Sequence, residues 1–194
     1  MRCGKLMEGV LRRSRCRLAF ILLISVFVFL QGICARAQQT NCPSTFAVGV
    51  HSGFSTSIGK DLFLKNELYA NWNLPVDWRL GSRWHLQPRF QLTAGYLQNS
   101  DDAFIASLGL ALIFTYGEFP VGLDLGISPT YIGRDNFEGK KLGFPFEFTS
   151  HIGFEWKIHR HWELSYRAEH MSNLHLGRSN PGLNMHLFGI GYRF

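Results

Sequence analysis

Two short stretches near the C-terminus carry residue types that do acyl-transfer chemistry. The first is His170-Met171-Ser172-Asn173, the second Asn180-Pro181-Gly182-Leu183-Asn184, with His186 close behind. An imidazole two residues from a hydroxyl is a base beside a nucleophile if both stand on one side of a strand. A third hydrogen-bonding residue then orients the imidazole, and a nearby amide or backbone N–H stabilises the oxyanion. His170, Ser172, Asn184 and Asn173 have the types for those four roles. The chemistry would be ester hydrolysis through a serine, with no cofactor and no metal.

Strands also turn polar where they leave an apolar environment, and a lone His or Ser carries only that meaning. What decides is which way these residues point, and the elements that hold them set that. Helical periodicity is missing from the chain after residue 37, whereas strict alternation recurs, the mark of strands with two unlike faces. Between 83 and 96, Trp84, Leu86, Phe90, Leu92 and Tyr96 oppose His85, Gln87, Arg89, Gln91 and Gly95. From 144 to 157, Phe144, Phe146, Phe148, Ile152, Phe154 and Trp156 oppose Glu147, Thr149, His151, Gly153 and Glu155. Eight such segments are predicted, at about 45–58, 62–74, 83–98, 103–117, 119–132, 144–157, 161–173 and 183–194.

Eight antiparallel strands close either as a soluble barrel with its apolar face inside or as a membrane barrel with that face in lipid. The apolar face here carries large aromatics. The polar face carries glycines and charges of both signs, among them Arg89, Asp124, Glu147, Glu155, Arg167 and Glu169. An eight-stranded lumen has room only for side chains, which suits small residues and paired charges. Trp72, Trp84, Trp156, Trp162 and Tyr192 fall at one end of their strands; Phe63, Tyr96, Phe104, Tyr131 and Phe144 fall at the other. This predicts aromatic girdles. The expected fold is therefore all-β, an eight-stranded antiparallel transmembrane β-barrel of the outer membrane. Its last residue, Phe194, lies on the lipid face, where barrel-assembly machinery would engage it.

On the seventh segment the apolar face runs Trp162, Leu164, Tyr166, Ala168, and continuing by twos gives His170 and Ser172. On the eighth, counting back from Phe188 gives His186 and Asn184. The polar groups thus converge on the lipid-facing side of two neighbouring strands. Ser172 is ten residues beyond Trp162, a rise of roughly 25 Å at the usual strand tilt, which sets it at the outer rim of an apolar band about as tall.

Residues 1–37 read as a cleaved signal peptide: a positive stretch with Arg12, Arg13, Arg15 and Arg17, the apolar run "LAFILLISVFVFL" and a small-x-small site at Ala35-Arg36-Ala37. Residues 38–194 then form the barrel. Loss of residues 1–37 removes seven basic residues and one acid, leaving thirteen of each sign. The precursor's basic balance is thus no argument for a nucleic-acid partner. Cys42 would remain alone, so no internal disulfide is expected. Arg134, Lys140 and Lys141 fall in the long outer loop and are candidates for meeting substrate phosphates. His159 and His161 flank a short turn without further metal ligands nearby.

The sequence resembles the PagL-type lipid A 3-O-deacylases of the outer membrane. The resemblance is carried by "HMSN" (170–173) and "NPGLN" (180–184), and extends to the length, the strand count and the aromatic C-terminus. It implies a serine nucleophile at Ser172, a histidine base at His170, and lipid A of lipopolysaccharide as the substrate. The family's third member, a glutamate, is Asn184 here, and His175 stands where the family has a glycine. The rival readings are a non-catalytic structural or adhesive barrel of the OmpX or OmpA kind, and a soluble barrel holding a small apolar ligand.

Overall fold

The structure is a computed structural model that describes residues 45–56, 62–137, 140–174, 176 and 180–194. The predicted signal peptide, its cleavage site, Cys42 and His175 lie outside these residues. Eight long strands build the wall: β1 (Phe46–Ser55), β2 (Leu64–Asn73), β4 (Trp84–Gln98), β5 (Asp102–Tyr116), β6 (Val121–Ile132), β9 (Phe146–Lys157), β10 (Trp162–Ser172) and β11 (Leu183–Arg193). Each pairs antiparallel with its neighbours, and β1 joins β11 on one side and β2 on the other. The β2–β4 pairing closes the ring. It is an eight-stranded antiparallel transmembrane β-barrel of the outer membrane.

Three short strands were not anticipated. β3 (Trp78–Leu80) continues along β4 below the end of β2. Pro75, which cannot donate to a ladder, lies in the break between them. β7 (Asn136–Phe137) and β8 (Lys140–Lys141) form a small hairpin in the long outer loop.

Alternation sorts the side chains as the period of two demands. Leu68, Phe146, Ile152, Phe188 and Ile190 are outward and exposed, whereas Asp124, Glu147 and Arg167 are buried in the lumen. Such outward exposure of large apolar groups is stable only in hydrocarbon. Charges inside are paired: Lys65 Nζ is 2.6 Å from Glu169 and 3.1 Å from Glu67, Arg89 is 2.6 Å from Glu155, and Arg167 is 2.9 Å from Asp124. Glu147 stands apart from this network, with its Oε1 lacking a hydrogen-bond partner among the described residues.

The outer end of the lumen is apolar, contrary to the expectation of a polar interior throughout. Phe63, Leu97, Ile105, Ile132, Phe137, Leu142, Met171 and Leu183 are buried together there. Each strand member of this cluster sits at inward parity near the outer end of its strand. Phe63 belongs to it, packed edge-on to Phe137 at 5.1 Å, and so is not part of the outer girdle. Trp72, Trp84, Trp156 and Trp162 are exposed at the opposite end, as expected, and Tyr96, Phe104 and Tyr131 at the outer end.

Candidate active site

The site is built on β10 and β11, one rung at a time. His170 is the cross-strand neighbour of Asn184 on β11 and of Ser150 on β9. All three side chains point outward. His170 Nδ1 and Asn184 Oδ1 are 2.6 Å apart. An amide oxygen only accepts, so Nδ1 carries the proton and Nε2 is left with its lone pair. The strand end that supports Asn184 is tied to β1, where Thr56 N–H donates to the Asn184 carbonyl at 2.9 Å.

Ser172 lies one rung further out, opposite Phe148 of β9. Just before β11, next to the Met171–Leu183 pair, stands Gly182, whose φ of +61° suits a residue without a Cβ. A Cβ built on Gly182 would lie 3.1 Å from His170 Cε1 and 3.8 Å from Nε2. The Cε1 edge of the imidazole therefore packs beside Gly182. Ser172, expected to stand free at the rim, is 9% exposed. The chain folds back beyond it: Asn173 N–H donates to Asn180 Oδ1 at 3.1 Å, and Leu176 N–H donates to the Asn173 carbonyl at 2.9 Å.

Asn173 departs from the expected oxyanion role. Its side chain is fully buried and donates from Nδ2 to the Leu142 carbonyl at 2.8 Å, anchoring the outer loop to the end of β10. Parity explains this. Asn173 follows Ser172 by one residue, so it faces the plug and not the lipid. The amide group that lies beside the Ser172–Asn173 peptide belongs to Asn180.

His186 is outward-facing, as expected, but its partner is Tyr166, whose hydroxyl is 2.7 Å from His186 Nδ1. Arg134 lies in the outer loop and is paired with Asp101 at 2.8 Å; Lys140 and Lys141 form β8 beside it. His161 Nδ1 donates to the Arg193 carbonyl, 2.9 Å away, and the ring stacks on Tyr192. Among the described residues no cluster of metal-ligand type is present.

Ser150 and Gly182 were missed in the sequence. Ser150 breaks a run of outward aromatics on β9, an interruption legible only once its neighbour across the sheet is known. Gly182 reads as an ordinary turn glycine after Pro181.

A family model described as "Lipid A 3-O-deacylase (PagL)" matches residues 65–193. The lipid A deacylase PagL of Bordetella bronchiseptica is 29% identical over 72 residues, 37% of this chain and 40% of that relative's length. Among solved structures, the outer membrane enzyme PagL superposes with a TM-score of 0.63 at 16% identity, covering 77% of this chain and 98% of that one. The N-terminal β-barrel domain of Pseudomonas aeruginosa OprF gives 0.50 at 10% identity, covering 81% and 100%. These two likenesses speak to the fold. With the family model spanning two thirds of its length, the chain belongs to the lipid A 3-O-deacylase (PagL) family.

Proposed function

We propose that the protein is an outer-membrane serine esterase that removes the ester-linked 3-O acyl chain from lipid A of lipopolysaccharide. The observation that carries this reading is the 2.6 Å contact between His170 Nδ1 and Asn184 Oδ1 on the lipid face. With the proton held at Nδ1 by that amide oxygen, Nε2 keeps the lone pair a base needs, and Ser172 follows two residues later on the same strand. A base so oriented has no purpose on a purely structural wall, where a polar pair facing hydrocarbon costs stability.

His170 Nε2 takes the proton of Ser172 Oγ as that oxygen attacks the ester carbonyl. The C=O electrons move to the oxygen, which becomes an oxyanion. We assign its stabilisation to Asn180, whose side chain lies beside the Ser172–Asn173 peptide, in place of Asn173. Collapse breaks the bond to the glucosamine oxygen, which leaves with the proton held by His170. Water, deprotonated by the same nitrogen, then attacks the acyl-serine and releases the free fatty acid. Asn184 keeps the ring in place throughout but supplies no negative charge to the imidazolium. Residues 38–194 form the mature barrel, with 1–37 removed on export. Lys140 and Lys141 in the outer hairpin face the side of the membrane where lipid A phosphates lie. Phe194, 68% exposed beside Phe46, is the contact for barrel assembly.

The test is mass spectrometry of lipid A from cells with and without the protein. A mass loss equal to one 3-hydroxyacyl chain is expected with the native protein, and none with Ser172→Ala or His170→Ala. Both variants should still migrate as folded barrels in unheated gels. Undiminished deacylation by Ser172→Ala would falsify the assignment.

A further inference from the structure

Below the His170–Asn184 rung the outer wall changes character twice. The next rung toward the periplasm is Ile152, Ala168 and His186, abreast on β9, β10 and β11. Its middle member presents only a methyl group, and an open groove of about 500 Å³ passes over it, lined by Ser150, Ile152, Ala168, His170, Asn184 and His186. The rung below that is Phe154, Tyr166 and Phe188, three aromatic rings in a row. Phe154 and Phe188 are 53% and 55% exposed, so they stand out from the wall. The Tyr166 ring is tilted against Phe188 with centroids 5.3 Å apart and stacked on His186 at 5.9 Å and 15°. The Tyr166–His186 hydrogen bond of 2.7 Å locks the two rings together. The groove thus has His170 and Asn184 at its upper end and His186 at its lower end, one rung above the aromatic row.

We propose that this row is a shelf that sets the length of acyl chain the enzyme accepts. The inference rests on the esterase reading and names the occupant of the groove: the fatty-acyl chain whose ester carbonyl faces Ser172. That chain has one direction to take, because Ser172 is at the outer rim and the hydrocarbon lies below. It passes His170, settles over Ala168 and meets Tyr166. Ser172 and Tyr166 are six residues apart, about 20 Å of strand. An extended hydrocarbon, advancing about 1.3 Å for each C–C bond of about 1.5 Å, covers this with about fifteen carbons. Shorter chains lie wholly in the groove and gain contact with each methylene. Longer ones must climb over the rings and give up contact with the wall.

The experiment uses the purified barrel in detergent and synthetic glucosamine 3-O-(3-hydroxyacyl) esters with chains of about 8 to 18 carbons. For the native protein kcat/KM should rise with chain length and then fall by about threefold to tenfold once the chain passes the shelf, the scale on which apolar pockets discriminate. Tyr166→Ala should move that fall to longer chains. Ala168→Leu, which fills the groove, should move it to shorter ones. Tyr166→Phe keeps the ring and should keep the limit. A native profile without a fall, or a limit unmoved in both Tyr166→Ala and Ala168→Leu, overturns the shelf while leaving the esterase intact. Native protein inactive on every chain would instead sink the esterase reading and the shelf with it.

Discussion

At the scale of single residues the site turns on an amide where a carboxylate would do more. Asn184 can hold the His170 ring through its carbonyl oxygen, as the 2.6 Å contact records. It cannot offset the positive charge that develops when the ring accepts a proton. In a serine protease the corresponding carboxylate-to-amide change lowers turnover by about 10⁴, largely through the wrong tautomer. Here the tautomer is right, so the loss is confined to the missing charge. Asn184→Glu is expected to raise the deacylation rate, and Asn184→Ala to lower it, measured on purified lipid A in detergent. His186 is no substitute, since its Nδ1 is held by Tyr166. The two neighbouring asparagines separate in the same assay. Asn180→Ala should lower kcat by about 10²–10³, the usual consequence of losing an oxyanion donor. Asn173→Ala should leave chemistry nearly intact and cost about 1–3 kcal/mol of stability, because the buried Leu142 carbonyl loses its partner. Equal kinetic defects in both variants would mean that the oxyanion is held some other way.

At the scale of the strand, one period of two organises everything. Along β10, Glu163, Arg167, Glu169 and Met171 are buried, while Trp162, Leu164 and His170 are exposed on the opposite face. The same alternation predicts that a charge placed outward at mid-height is expensive. Leu68, 66% exposed at the middle of β2 and far from the site, is the place to test it. Leu68→Arg should cost about 2–4 kcal/mol in urea unfolding from lipid vesicles, whereas the same change on a soluble barrel would cost little. Alternation is also why so much was legible beforehand. Facing follows from counting by twos, so strand number, lumen charges and the outward placement of His170, Asn184 and His186 came from the sequence alone. Counting cannot say where the count loses its meaning. Ser172 continues the outward parity yet is only 9% exposed, and the girdle reading of Phe63 follows its place at the strand end, although its parity is that of buried Lys65, Glu67 and Tyr69. The oxyanion reading of Asn173 follows residue type, whereas its parity sends the side chain inward. The β7–β8 hairpin and the break at Pro75 depend on pairings between segments, which no local pattern encodes.

At the scale of the whole barrel, the proposed catalytic residues and the ion pairs that hold the lumen occupy opposite faces of one wall. The paired charges of the lumen are remote from His170 and Ser172 in direction though close in sequence. Arg167→Met should therefore cost about 3–5 kcal/mol by leaving Asp124 buried without its partner, yet leave the deacylation rate per folded molecule unchanged. Parallel measurements of unfolding and of turnover would separate the two, and a rate falling in step with stability would contradict the division. The plug of Phe63, Leu97, Ile105, Phe137 and Leu142 across the outer mouth has a consequence for the cell that carries it. Among the described residues this cluster fills the outer end of the lumen, so the purified barrel is expected to pass no current in a planar-bilayer conductance measurement. On the proposed function, a sealed barrel of this kind would let the outer leaflet be remodelled from within the membrane without adding a leak.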